Sequence, residues 1–216
     1  MTLRDLIDLY RVLALDTAEP LQVDDTQATL FANEGVSEAC RRGDMIIDST
    51  VSIAVKANAP LVKLPTTCIE IRRVRLEDST SPLLPVSVAD LDAWSAQWED
   101  EIGIVSNYVT DYQTNAILLY PQPDTDGTLR MTVRRLPKVQ MAADDDEPEI
   151  RSEYHMGIVQ WMLYRAFGTV DADLFDANRS RTALAEFERE FGTRNSARNE
   201  AWRRGAQDAL SATPVA

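Results

Sequence analysis

Apolar positions recur at helical spacing at the start of the chain. Leu3, Leu6, Ile7, Tyr10, Leu13 and Ala14 fall at i, i+3, i+4 and i+7, which predicts an amphipathic helix over about residues 2–15. Thr2 is placed to cap it, with Asp5 in the first turn, where the helix dipole favours an acid. Glu19-Pro20 is expected to end this segment, because a residue before proline avoids the α region. A second helix is predicted over roughly 26–43. Its stripe is Ala28, Phe31, Ala32, Val36, Ala39 and Cys40, with Gly43 as its stop. Asn33, Glu34, Ser37, Glu38, Arg41 and Arg42 are read as its outward face.

Between residues 50 and 137 the period changes to two. TVSIAVK and CIEIRRVRLE alternate, with Ile69, Ile71, Val74 and Leu76 among charged neighbours. Arg72-Arg73 breaks the alternation, which points to a bulge or an edge position. NAILLYP and GTLRMTVRRLP read as strands, and PQPDTDG between them has the residues of a hairpin turn. Ser87 with Asp90 three residues on predicts a short helix at 88–96. The acidic VQMAADDDEPEI reads as an unstructured loop. SEYHMGIVQWMLYRAF (152–167) is apolar nearly all round, as a buried central helix should be, and Gly168 follows as its stop. A last helix at about 173–191 is expected to start at Asp171 or Asp173. Ala177, Leu184, Phe187 and Phe191 share one face, and Gly192 ends it.

The fold class predicted is α+β: a helical body with an inserted antiparallel β-domain. The expected divisions are N-terminal helices at 1–48, a β-rich insertion at 49–140, C-terminal helices at 141–192 and an arm at 193–216. No internal repeat is visible.

Charge and candidate chemistry narrow the function. The 216 residues carry 35 acids against 22 bases, a net charge of −13. Such a surface repels phosphate and gives no reason to expect sequence-specific nucleic-acid binding. No apolar stretch approaches membrane-spanning length, and no signal peptide is evident at the start. His155 is the single histidine and is read as a core residue with a satisfied ring nitrogen. With two distant cysteines, Cys40 on a helix and Cys68 on a strand, a zinc site is not expected. Asp144, Asp145, Asp146, Glu147 and Glu149 lack the spacing of a calcium loop and read as a solvated loop. Glycine is scarce and no phosphate-cradling motif occurs. No catalytic residue, metal or cofactor is assigned. The RRVR and VRRLP clusters could touch phosphate, although outward arginines are ordinary on alternating strands.

A resemblance adds to this. EPEIRSEYHMGIVQWMLYRAF, then DADLFDANRSRTALAEFEREFG and TRNSA, resemble the adaptor family of podovirus head–tail connectors. EACRRGD, IRRVRL with SPLLPVS, ADLDAW and LLYPQPD extend the likeness in order along the chain, and the first helix matches less clearly. The resemblance implies helices around an inserted β-domain. It implies a homo-oligomeric ring, of twelve subunits, between a portal protein ring and a tail nozzle or tail tube protein, with double-stranded DNA passing through. The protein would reside in the virion at the head–tail junction, after synthesis in the host bacterial cytoplasm. The C-terminal arm, with Arg194, Arg198, Trp202, Arg203 and Arg204, would dock on the portal. Two other readings stay open: a head- or tail-completion protein of another tailed phage, and a small acidic carboxylate hydrolase.

Overall fold

The computed structural model describes residues 1–169 and 174–194. Its backbone divides into a helical unit, Met1–Ile46 with Leu136–Arg194, and a β unit beginning at Ile47 and reaching Arg135. The class is α+β, with helices on either side of a β-rich middle.

In the helical unit, α1 (Leu3–Ala14) buries Leu3, Leu6, Ile7, Tyr10 and Ala14. Thr2 and Asp5 form a reciprocal capping box at its start. Its end agrees with the expected 2–15. Leu15 adopts the left-handed conformation, at φ 63°, so the helix stops before Glu19-Pro20. The chain is turned by Asp16, whose buried carboxylate accepts the N–H groups of Gln22 and Val23 at 2.8 and 3.1 Å. Helix α2 (Asp25–Arg42) is capped by Asp24 and ends at Gly43, which is extended and not left-handed.

Helix α4 (His155–Gly168) is the buried centre and packs against α1, α2 and α5 (Ala177–Phe191). It starts after a 3-10 turn at Ser152–Tyr154, and Gly168 is its last residue while Thr169 caps it. Asp176 caps α5 through the N–H groups of Asn178 and Arg179, so the helix begins later than expected. Asp171 and Asp173, the expected caps, lie outside the described residues. Gly192, at φ 84°, ends α5 as expected. At Gly157 the two helices approach so closely that a Cβ would sit 2.7 Å from the Phe191 ring.

The β unit has three layers. The first is the antiparallel sheet β1-β9-β3, formed by Ile47–Val55, Gly127–Arg135 and Cys68–Leu76. The second is β2-β7-β6-β4, formed by Leu61–Lys63, Ala116–Tyr120, Asn107–Val109 and Leu84–Val86. Val74, Leu129, Met131 and Val133 from the first sheet share a core with Val62, Tyr108, Ile117 and Leu119 from the second. On its other face the second sheet buries Val86, Val109 and Leu118 against Leu91 and Trp98. Leu91 belongs to α3 (Val88–Trp94), which starts at the expected Ser87–Asp90 capping box.

This layering corrects the hairpin expectation. AILLY is apolar on both faces and belongs in the middle layer, as doubly covered strands do. β9 alternates and belongs in an outer sheet. The two strands therefore do not pair. PQPDTDG runs between sheets, and its β8 (Gln122–Pro123) pairs in parallel with β5 (Ile102–Gly103). The β4–β6 pair is also parallel, so the insertion is mixed, with an antiparallel first sheet. Arg72-Arg73 does mark a bulge: the β3–β9 register shifts between Ile71 and Arg73, and β3 is an edge strand of its sheet.

Candidate functional site

The residues with the most reactive side chains serve the fold. His155 is buried, its Nε2 3.0 Å from the Ile150 carbonyl oxygen and its Nδ1 3.1 Å from the Met1 amino group. A carbonyl only accepts, so Nε2 carries the proton and Nδ1 is left to accept from the ammonium. Cys40 is buried, Cys68 is half-buried, and neither is in a disulfide. Burial pushes the Cys68 thiol up from its ordinary pKa, which lowers its reactivity. Among the described residues no three histidine, cysteine or carboxylate side chains converge as a metal site. No helix among them is long and apolar enough to cross a membrane.

The acidic loop is not loose. Asn33 grips Met141 in both directions, donating to its carbonyl at 2.9 Å and accepting its N–H at 2.8 Å. The Asp146 carboxylate accepts the N–H groups of Ala142 and Ala143, which hold its pKa below the usual carboxylate range. The backbone carbonyls of Asp146 and Asp144 accept the N–H groups of Leu3 and Arg4 at 2.7 and 3.1 Å. These are donors at the start of α1 that its own turns cannot satisfy. Met141, Pro148 and Ile150 are buried, while Asp144, Asp145 and Glu147 stay exposed. The run is a rigid acidic projection.

Two residues read as outward are buried in the helical unit. Glu38 is only 4% exposed and pairs with Arg41 at 2.5 Å and with Arg42 at 3.7 Å. The Arg42 guanidinium stacks over Trp161 and Phe187, 5.5 and 5.1 Å from their centroids, and reaches Glu188 at 3.3 Å. Its charge thus rests on aromatic faces and two carboxylates. Arg194 is the one residue of the expected docking set that is described. Its side chain is 64% exposed and lies 3.9 Å from Glu38. Arg198, Trp202, Arg203 and Arg204 lie outside the described residues.

The β unit carries three surface features. The first is the outer face of the β1-β9-β3 sheet. Arg75 is paired in register with Arg130, Arg73 with Thr132, and Ser52 with Arg130 on the other side. Paired residues point to the same face, so Arg73 and Arg75 of RRVR join Thr132, Arg130 and Ser52 in one basic, hydroxyl-bearing surface, while the arginines of VRRLP, Arg134 and Arg135, are buried. The second is a cleft of about 640 Å³ beside β3, lined by Arg72, Arg73, Asp111, Gln113 and Asn115 among others. The third is an aromatic group in which Trp98 meets Tyr112 and Tyr120 edge-on at 6.1 and 6.4 Å. Trp98 Nε1 donates to Asp92 at 2.8 Å and the Tyr120 hydroxyl donates to Glu101 at 2.5 Å, so their polar atoms are satisfied within the unit. Arginines, tryptophans and rigid loops on open surfaces are suited to protein contacts.

A family model for the SU10 adaptor protein matches residues 1–212. The chain belongs to the SU10 adaptor protein family. No curated protein matches it. The family is one of structural phage adaptors, and an SU10 adaptor protein is a component of the virion.

For this SU10 adaptor protein, reasoning from sequence placed Glu38 and Arg42 on the wrong side of α2. The missed signal was the apolar aromatic pair, Trp161 and Phe187, that gives an arginine stem and guanidinium something to cover. It also read the VRRLP arginines, which are buried, as outward, and did not connect Arg130 with the RRVR cluster. The bulge at Arg72-Arg73 was the available clue, because it restores the alternation that puts Arg73 and Arg75 on the same face.

Proposed function

We propose that this protein is the head-to-tail adaptor of a tailed phage of the podovirus type. Its copies form a ring, of twelve, that joins the portal protein to the tail nozzle or tail tube and surrounds the passage for DNA. The observation that carries this reading is the match to an adaptor family over residues 1–212, nearly the whole chain. The net charge of −13 supports it, since an acidic wall lets duplex DNA pass without adhering. A closed ring needs two unlike lateral surfaces, and an acidic helical unit with a basic sheet face on the β unit supplies unlike surfaces.

In this reading the segment from Thr193 onward docks on the portal. Arg194, Arg198, Trp202, Arg203 and Arg204 are of the residue types that most often anchor interfaces. The test removes Thr193–Ala216. The shortened protein should keep its circular dichroism spectrum and lose co-sedimentation with the portal ring. Unchanged portal binding would place the docking element elsewhere. Trp202→Ala alone should weaken binding by about 2 kcal/mol. Micrographs of purified virions should show the protein in the layer directly below the portal, and its presence at any other level would overturn the adaptor reading in favour of a completion protein.

A further inference from the structure

The outer face of the β1-β9-β3 sheet stands out in an acidic protein. The second sheet is covered on both sides, by the first sheet and by α3 with Trp98, whereas Ser52, Ala54, Arg73 and Arg130 on the first sheet's outer face are exposed. Arg73 has no ion pair among the described residues. Arg130 is held by Glu77 through Nε at 3.1 Å and through a second nitrogen. Arg75 donates to the carbonyls of Glu77 and Ser79, each at 3.3 Å. The face is therefore an array of guanidinium groups among hydroxyls, with Arg75 and Arg130 held in place and Arg73 unpaired among the described residues.

A complementary surface exists on the same polypeptide. The loop at 144–147 projects Asp144, Asp145 and Glu147, and its backbone is fixed by Asn33, by Asp146 and by the first turn of α1. Asp145 and Glu147 have no ion partner among the described residues. The sheet backbone and the loop backbone are both fixed by hydrogen bonds, so little backbone freedom is lost on contact. Duplex DNA is the weaker occupant for the basic face. A subunit at −13 repels phosphate, and Glu70 and Glu77 stand among the arginines.

We propose that the outer face of the β1-β9-β3 sheet binds the acidic 144–147 loop of a second copy of this chain. The contact is heterologous, basic face to acidic loop, which is the kind that closes a ring. It rests on the adaptor reading and assigns that reading its lateral interface.

The test uses the full chain and two charge-reversed variants, Arg73→Glu with Arg130→Glu, and Asp145→Lys with Glu147→Lys. All four positions are exposed, so the fold should survive, and circular dichroism checks that. Sedimentation velocity is run at about 0.1 M salt, where a Debye length of about 10 Å damps repulsion between whole subunits while charges in contact still attract. The unaltered protein should associate increasingly with concentration and lose this in about 1 M salt, where the Debye length falls to about 3 Å. Each variant alone should stay monomeric, because like charges then meet. An equimolar mixture of the two should recover association, since the reversed face of one fits the reversed loop of the other. Association of either variant alone, or no recovery on mixing, overturns the assignment. So does an unaltered protein that stays monomeric at every concentration. A gel shift of a short duplex that the unaltered protein produces and the Arg73→Glu, Arg130→Glu variant does not would overturn it in favour of phosphate. Virion micrographs read the adaptor role separately, so a protein found below the portal with a failed mixing test loses only this interface.

Discussion

In the helical unit charge is drawn inward. Arg11 pairs with buried Asp16 at 3.5 Å and also with Asp25, and buried Glu38 pairs with Arg42, whose guanidinium lies over the rings of Trp161 and Phe187. In the β unit the inward charges gather at one end of the first sheet. Asp48 meets Arg135 at 2.8 Å, and Arg134 reaches Glu70 at 3.4 Å. The remaining arginines of that sheet stand on its open face. The contrast teaches what each unit is suited for. Buried pairs cost desolvation and add little net stability, but they punish any helix packing that separates them. Exposed arginines on a rigid sheet add little to folding and stay available to a partner.

The comparison can be broken most sharply at Phe187, fully buried between α4 and α5 and 5.0 Å from Trp161. Phe187→Ala should cost about 3–5 kcal/mol in urea unfolding of the helical unit. Hydrogen exchange should show that loss there, with protection of β9 unchanged. A matching loss in β9 would mean that the two units unfold as one. Asp48→Ala should do the reverse, costing about 3 kcal/mol in the β unit by leaving Arg135 buried without its carboxylate. Adding Arg135→Met should restore most of that, and a failure to restore would show that the cost comes from Thr50, whose N–H and hydroxyl also bond Asp48.

Ser87→Ala should cost about 1 kcal/mol, the usual worth of an N-cap. It should also change the acid response. The Ser87 hydroxyl and N–H hold the Asp90 carboxyl below its ordinary pKa. A carboxyl depressed in the folded state contributes stability that is present above its unfolded pKa and is lost as pH falls through the folded value. The variant should therefore lose less stability than the parent on acidification below the ordinary carboxylate range, and an identical slope would show that Asp90 is held by other groups. The smallest effect is at Tyr10. Its hydroxyl is buried with no hydrogen-bond partner, and burial raises its pKa above the ordinary tyrosine value. Tyr10→Phe removes a desolvated group and nothing that satisfies it, so stability should stay within about 1 kcal/mol of the parent or rise. A larger loss would reveal a partner for that hydroxyl.

Much of the helical structure in both units was legible from periodicity and caps. The Leu3, Leu6, Ile7, Tyr10 stripe, the Thr2 and Ser87 caps and the Gly192 stop all depend on neighbours within a turn or two. Strand existence was legible for the same reason. Strand partnership was not, because β9 pairs with β1 and β3, segments far from it in sequence, while a turn-like PQPDTDG sits beside it. The end of α1 near residue 15 was legible, whereas Asp16 turning the chain onto Gln22 and Val23 was not, because that contact is a tertiary one. The same limit hid the basic face: RRVR is legible as a cluster, but only register sets its Arg75 beside Arg130.

The helical unit is closed by contacts between distant parts of the chain. Asn33 holds Met141, Arg42 holds Glu188, and Arg179 donates to the carbonyl of Leu13. The ribosome makes α1 and α2 first, then the whole of Ile47–Arg135, and only afterwards α4 and α5. At about 5–20 residues per second, the two early helices wait on the order of 5–20 s for the helix that buries them. Through that interval the stripe from Leu3 to Ala14 lacks α4, and by its end the β unit holds all of its described strands. The order of synthesis thus favours a finished β unit carrying a nascent helical one, and it makes α1 the stretch most in need of protection in the newly made chain.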